Sequence, residues 1–490
     1  MRHRIRLEGA VTPADAVAQY RYVPFTVPGG ARRLEVSYFY GNQVTGAQET
    51  HAGNNIDIGV FDPRGADFLT GGFRGWSGGA RSGFFIEPRA ATPGYVRGPI
   101  QAGEWTIILG CSKIDDPVVP YRMNIDVEID PLAVEGGALA DIVPVPGMPR
   151  AEIVGTAPGV ASPGGRGRWY RGDLHAHSEH SDGQNTVAEI VDYTRRIGLD
   201  YFALTDHNTI SHWDELARLN ADAVSGGPLL IPGEEITMYG GHANVWALAD
   251  WIDFRGGDDD RVRRLVEAAN ARGSIFSINH PDSPIPWKHD AVRSYQAVEV
   301  WNAPWRWFNE PALQRWEGHL NNGQRMIAVG GSDSHCVPPA TMTQPNGPGE
   351  PCTWVYLESP LTQGAVLDAV TRGRVFISEG PTGPLIELRA DADGDGVFEC
   401  VQGDRIEAAD GALVRFRVVY RGPDGKHLRF FSKKGLVKEI TPTVESYDDE
   451  FEWRIEGDDY LRVEVRGYRG RPERGEVVHA MTNPVYWGAW

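Results

Sequence analysis

From Tyr20 to about Ile129, apolar residues come in short runs that alternate with polar ones and are broken by Gly, Pro, Asn and Asp. RRLEVSYFY, NIDIGVFDPRG, EWTIILG and YRMNIDVEI show it best. A period of two bounded by turn formers predicts half-buried strands, so residues 1–140 are read as a β-sandwich-like domain. The glycine-rich GGFRGWSGGARSG reads as a structured loop, whose Trp76 could reach a neighbouring domain. Residues 141–168 are rich in Pro and Gly without a sustained helical period, and read as a linker.

Beyond Trp169 the texture changes. TVAEIVDYTRRIG places Val187, Ile190, Val191 and Ile197 on one helical stripe and stops at Gly198; the strand-like YFALTDHN follows. VRRLVEAANARG then SIFSINHP, ALQRWEGHLNNG then RMIAVGGSDSH, and AVLDAVTRG then RVFISEG repeat this order. Helix-then-strand units predict a largely parallel sheet or barrel over 169–380, with chemistry at the carboxyl ends of the strands. In 381–490 the alternation returns with ALVRFRVVYRG, HLRFFSKKG, EFEWRIEG and YLRVEVRGYRG, predicting a second β-sandwich-like domain. DADGDGVFE opens like a calcium loop, but its twelfth position is Gln402, so a polar hairpin turn is the reading adopted.

Composition narrows the classes. A chain of 490 residues is too long for one core. A net charge of −18 repels a phosphate backbone at long range, which argues against nucleic acid as a partner and leaves a small-molecule substrate. Four scattered cysteines contain no Cys-x-x-Cys pair, so neither a zinc ribbon nor a redox motif is indicated. No apolar run is long enough to span a bilayer, and MRHRIRLEGAVTPADAV lacks a signal-peptide core, so the expected location is cytoplasmic. The oligomeric state is left open.

The candidate chemistry is a series of histidines and carboxylates at strand ends. DLHAHSEHSDG supplies His175, His177 and Asp182; ALTDHN supplies His207. LLIPGEEITMYGGHANVWAL offers Glu234, Glu235 and His242, IFSINHPD offers His280, and IAVGGSDSH offers Asp333 and His335. Alternate residues of a strand point to one side, so a His-x-His pair brings two imidazoles to one ion. Taken singly, a histidine at a strand end is more often a hydrogen-bonding residue, and Asp182 a helix N-cap. Five successive strands ending in such groups point instead to a shared metal site for two or three divalent ions, with zinc, manganese or iron suited to imidazole and carboxylate.

The ordered set DLHAHSEHSDG, ALTDHNT, PGEEIT, GGHANV, NHP and GGSDSH resembles the polymerase-and-histidinol-phosphatase (PHP) superfamily. With its flanking β domains and the wording PGEEITMYGGHANVWAL, the chain most resembles the CehA/McbA branch. The resemblance implies an α/β fold, a distorted (β/α)7 PHP barrel with metals at one mouth. It implies that His175 and His177 hold a first metal with Asp333 and a bridging Glu235, Glu234 lying behind. His242 and His280 would complete a second. Asp182, His207 and His335 would form a third site or a catalytic polar cluster. Many three-metal relatives carry histidine where this chain has Asp182, so the third ion stays open.

Two such ions would bring a bridging water toward neutral pKa, and the resulting metal-bridging hydroxide would attack phosphorus while His335 or His207 protonates the leaving group. This is phosphoester hydrolysis. The same centre could attack a carbamate or carboxylic ester. Trp301, Trp305 and Trp307, with Asn302 and Arg306, could wall an aromatic substrate pocket, or Arg306 could clamp a phosphate; the tryptophans could equally pack against a flanking β domain. An amidohydrolase is a rival, although Asp333-x-His335 and the early Asp182 favour the PHP pattern. A non-catalytic, metal-stabilised binding protein is the remaining alternative.

Overall fold

The computed structural model describes residues 1–44, 51–130, 154–221, 227–338, 345–470 and 472–490. Most of the expected linker, 141–153, therefore lies outside the described residues, as does 131–140. The chain is mixed α/β and rich in sheet.

The alternating N-terminal segment forms two four-stranded antiparallel sheets. One orders Arg2–Val11, Val119–Ile129, Ala31–Tyr40 and Gly83–Ile86; the other orders Tyr20–Val27, Gly103–Ile114, Asn54–Phe61 and Phe73–Gly78. Their inward residues, among them Val36, Ile58, Trp105, Ile107 and Ile125, share one buried core. Trp76 packs on Phe254 at 4.7 Å between ring centres, the reach anticipated for it.

In the central segment, seven strands lie side by side in chain order: Arg168–Asp173, Tyr201–Leu204, Leu229–Met238, Gly241–Trp246, Phe276–Asn279, Ala297–Asn302 and Ile327–Gly331. The first three and the last three are joined in parallel. The middle pairings are antiparallel, which corrects the expectation of repeated helix-then-strand units throughout. The reason is local. Only Tyr239 and Gly240 separate Met238 from Gly241, far too few residues for a parallel crossover, so PGEEITMYGGHANV closes as a hairpin. A parallel bridge from Ala176 to Ser334 brings the ends of the first and last strands together.

The expected helices are present at Val187–Arg196, Asp259–Ala271, Asn309–Asn321 and Gln363–Arg372. The first buries Val187, Ile190 and Val191 and starts from a Thr186/Glu189 capping box, each side chain meeting the other's backbone N–H. Trp213–Ala221 is a helix that the pattern did not reveal; only Trp213 and Leu216 are buried on it, too few to show a period.

After residue 380 the strands form a second layered unit. Leu385–Asp391, Leu413–Arg421 and Ser446–Arg454 make one antiparallel sheet with Cys400–Val401. Glu476–Thr482, Asp459–Tyr468, His427–Ser432 and Gly435–Ile440 continue from the central strand Val375–Ser378, so one hydrogen-bonded sheet runs on past the expected boundary. Asp391, Asp393 and Asp395 accept bonds from backbone N–H groups of their own turn, and Asp391 pairs with Arg415. Among the described residues no helix is long and apolar enough to cross a membrane.

Candidate metal centre

The carboxyl ends of the seven strands bring the predicted residues together. His175 and His177 follow the first strand, His207 the second, His280 the fifth and Asp333 the seventh, while Glu235 and His242 belong to the hairpin. Alternation along Leu229–Met238 separates the two adjacent glutamates. Glu235 turns into the cluster. Glu234 turns away, accepts the Ile252 N–H at 3.2 Å and is fully buried, which pushes its carboxyl well above the ordinary range.

Glu235 lies at the centre. Its Oε1 is 3.4 Å from His175 Nε2, 3.2 Å from His242 Nδ1 and 3.5 Å from His280 Nε2, and accepts the Asn279 amide at 2.9 Å. Its Oε2 is 3.4 Å from His177 Nε2 and 2.8 Å from His207 Nδ1. Asp333 Oδ1 stands 3.0 Å from His177 Nε2 and 3.5 Å from His175 Nε2, and these two nitrogens are 3.2 Å apart.

These spacings test the fit of a metal. Ligand atoms about 2.0–2.1 Å from a tetrahedral zinc stand about 3.3 Å from one another. His175 Nε2, His177 Nε2 and Asp333 Oδ1 present that separation among themselves, and each of the two imidazole nitrogens also lies 3.4 Å from a Glu235 oxygen. Among the described residues, every ion pair of Glu235 and Asp333 is with an imidazole, so no lysine or arginine substitutes for a cation. The donor set fits a divalent ion. Two further groups have ligand atoms within 4.8 Å of one another: His207, Glu235 and His242, and His177, Asp182, His207 and His335. His207 thus faces both the Glu235 side and the Asp182 side, whereas His280 touches Glu235 without joining a compact group.

The electrostatics are those of a tightly coupled cluster. Burial, then His207 and His335, lower His177 to about 4. Burial opposes charge at His335 and His207, yet Asp182 and Asp333 raise the first to about 10, and Glu235 and Asp182 raise the second to about 9. Surrounding imidazoles hold Glu235 and Asp333 well below the carboxylate range against the cost of burial.

Several supporting residues escaped the sequence reading. Glu299 Oε1 accepts from His175 Nδ1 at 2.8 Å, which fixes the ring and leaves Nε2 facing Glu235. This requires Gly331, where a Cβ would lie 2.5 Å from that oxygen and 2.3 Å from the His175 Cβ. Asp206 accepts the Ser178 backbone N–H and hydroxyl at 2.8 and 2.7 Å and the Ser181 hydroxyl at 2.7 Å, tying the Asp182 turn to the His207 loop. Asp173 accepts N–H bonds from His175, Ser332 and Gly349. A polar residue in a strand carries no mark of which face it occupies relative to a site, so only the HxH-like spacings were readable. His280 and Asp333 have φ of 28° and 51°, a left-handed backbone that costs non-glycine residues about 1–3 kcal/mol and clusters where side chains must be aimed.

Of the residues expected to contact substrate, Asn302 reaches the centre, while Trp301 and Arg306 bond to backbone carbonyls. Trp301 is buried, donates its indole N–H to the Ala303 carbonyl and packs edge-on against Trp305. Arg306 donates to the carbonyls of Arg474 and Gly475. Asn302 spends its amide on Glu299 Oε2 at 3.0 Å and Asp333 Oδ2 at 3.3 Å, linking two groups of the centre rather than facing outward. Of this stretch it is Arg306 that bonds to the C-terminal β segment, whereas the alternative to a pocket wall has the tryptophans pack against a flanking β domain.

Comparison with known proteins bears on this geometry. Residues 173–254 match the PHP domain family. That PHP segment contains His175, His177, Asp182, His207, Glu235 and His242. No curated protein matches the chain significantly. Among solved structures, similarity is found to a two-domain Bacteroides vulgatus protein containing a predicted PHP-like metal-dependent phosphoesterase, at 18% identity and a TM-score of 0.39, over 67% of this chain and 99% of that one. A proposed metal-dependent phosphoesterase of Bifidobacterium adolescentis is 16% identical over 40% of this chain and 94% of that one, with a TM-score of 0.26. PliG, a periplasmic inhibitor of g-type lysozyme from Aeromonas hydrophila, is 15% identical over 26% of this chain and 87% of its own, with a TM-score of 0.16. At these scores the likenesses carry no argument about activity.

Proposed function

We propose that the chain is a metal-dependent hydrolase, a phosphoesterase acting on a small-molecule phosphate ester, built on a distorted (β/α)7 barrel of the PHP superfamily and most like its CehA/McbA branch. The observation that carries this reading is the placement of His175, His177 and Asp333 at the mutual spacing of ligands around one ion, with Glu235 reaching both of these imidazoles and also His207 and His242. The Ala176–Ser334 bridge supports the barrel. The PHP segment match supports the superfamily.

Divalent ions bound here supply Lewis-acid polarisation of the substrate oxygen and activation of water at neutral pH. Glu235 Oε1 lies beside His175, His242 and His280 and its Oε2 beside His177 and His207, so this one carboxylate would help hold ions among either set of imidazoles. Glu299 holds the His175 ring in the tautomer that leaves Nε2 free. His335, 18% exposed at the rim and paired with Asp182 at 3.3 Å, which favours its charged form, is the group placed to protonate a leaving oxygen. His207, held by Glu235, adds positive charge beside the same opening.

A second reading, carbamate or carboxylic-ester hydrolysis at the same centre, is favoured by one observation. Arg306, the expected phosphate clamp, is engaged by backbone carbonyls of the C-terminal segment. Elemental analysis of purified protein, joined to turnover of p-nitrophenyl phosphate, a phosphodiester, a carbamate and an acetate, separates the cases. Turnover of the phosphate esters supports the proposal, and turnover of only the carbamate or acetate replaces it with the second reading. Metal-loaded protein that cleaves none of them favours a binding protein.

A further inference from the structure

Besides the packing of Phe73 and Trp76 on Trp251 and Phe254, the N-terminal sandwich makes several hydrogen bonds to the central segment beside one half of the candidate centre. Arg81 donates to the Glu179 carbonyl at 2.6 Å, gripping the turn that carries Asp182. Gly94 donates its N–H to Ser211 Oγ at 3.0 Å and accepts from Thr209 Oγ1 at 2.9 Å, holding the loop just beyond His207. Asp57 accepts the Tyr239 hydroxyl at 2.7 Å, and Tyr20 stacks on the same ring at 5.7 Å between centres. Tyr239 is the turn residue of the hairpin, flanked in sequence by Glu235 and His242. The fit there is close, since a Cβ on Gly110 would lie 2.2 Å from the Tyr239 oxygen.

The other half is braced from within. Among the described residues, the hydrogen bonds of His175 and Asp333 run to Asp173, Glu299, Asn302, Ser332 and the neighbouring imidazoles, all within the central segment.

We propose that the N-terminal sandwich positions the half of the centre formed by Asp182, His207 and His242, acting through Arg81, Gly94 and the Asp57–Tyr239 pair. This rests on the metal-site reading above. Arg81 and Tyr239 touch no candidate ligand; they hold the turns on which the ligands stand, and the predicted consequence is a change in metal affinity on one side alone.

The test uses the full chain, stripped with chelator and titrated calorimetrically with Zn²⁺, with circular dichroism as the folding control. The parent is expected to show two classes of site. Tyr239→Phe and Arg81→Gln should each weaken one class about tenfold, the scale on which an outer hydrogen bond affects a metal ligand, and leave the other unchanged. Glu299→Gln should weaken the opposite class, and combining it with Tyr239→Phe should weaken both. Folded Tyr239→Phe and Arg81→Gln proteins with unchanged affinities, or with both classes weakened equally, overturn the proposal. If Tyr239→Phe does not fold, Asp57→Asn removes charge from the same contact and is read by the same criterion. A parent that takes up no zinc overturns the metal reading itself, and that result is distinct from a failure of the variants.

Discussion

The two halves of the candidate centre are made by different means. His175 and Asp333 lie at the ends of the first and last strands of the run and are held by groups from the same sheet: Glu299, Asn302 and Asp173. Asp182 and His207 stand on loops, and His242 on the second strand of the hairpin, and these loops and the hairpin turn meet the N-terminal sandwich. The first half is fixed by bonds made within the central segment itself, whereas the second also depends on a brace from another layer. Glu235 belongs to both halves.

The sharpest way to break the comparison is therefore Glu235→Gln. Losing the shared carboxylate should lower turnover by about 10³-fold or more and release metal from both sides, read by elemental analysis beside initial rates. Retention of both ions would show that the halves are independent. His335→Gln comes next. It should reduce kcat by about 10²-fold while the His175 side keeps its ion, because the change removes the rim proton donor and not a member of that group. Glu299→Gln should cost about 10–100-fold in affinity on the His175 side, measured by chelator competition, and spare the other side.

The mildest expected effect separates the two adjacent glutamates. Burial keeps Glu234 protonated well above the ordinary glutamate range. The folded chain then retains a proton that the unfolded chain releases, so this contribution to stability is complete below about pH 4.5 and is lost as pH rises toward the folded pKa. Glu234→Gln, which cannot ionise, should flatten the fall in Tm between pH 5 and pH 9. A variant whose Tm declines as steeply as the parent's would show that Glu234 is not the group responsible.

Much of this was legible in residue order. Period-two runs gave the N-terminal sandwich, and the stripe of Val187, Ile190 and Val191 gave its helix. The PHP resemblance picked out Glu235 over its neighbour Glu234, and in the structure Glu235 faces the imidazoles while Glu234 turns away. The hairpin of PGEEITMYGGHANV escapes a reading that follows the helix-then-strand repeat around it, although its two-residue link already excludes a crossover. Other features were not legible. Trp301, Asn302 and Arg306 looked like a pocket wall because aromatic, amide and cationic residues occur together in both walls and packed interfaces. Asp206 and Glu299 resembled any acidic residue near a strand.

The sequence alone determined which chemistry is available: imidazoles and carboxylates spaced so that strand ends deliver them, since alternation and turn formation are local properties. Only the tertiary structure decided how these groups are held. Glu299 meets His175 across 124 residues and Arg81 meets Glu179 across 98. Pairings at such separations depend on strand order and on how two layers dock, and a hydrogen bond's angstrom-scale tolerance lies beyond what local pattern encodes.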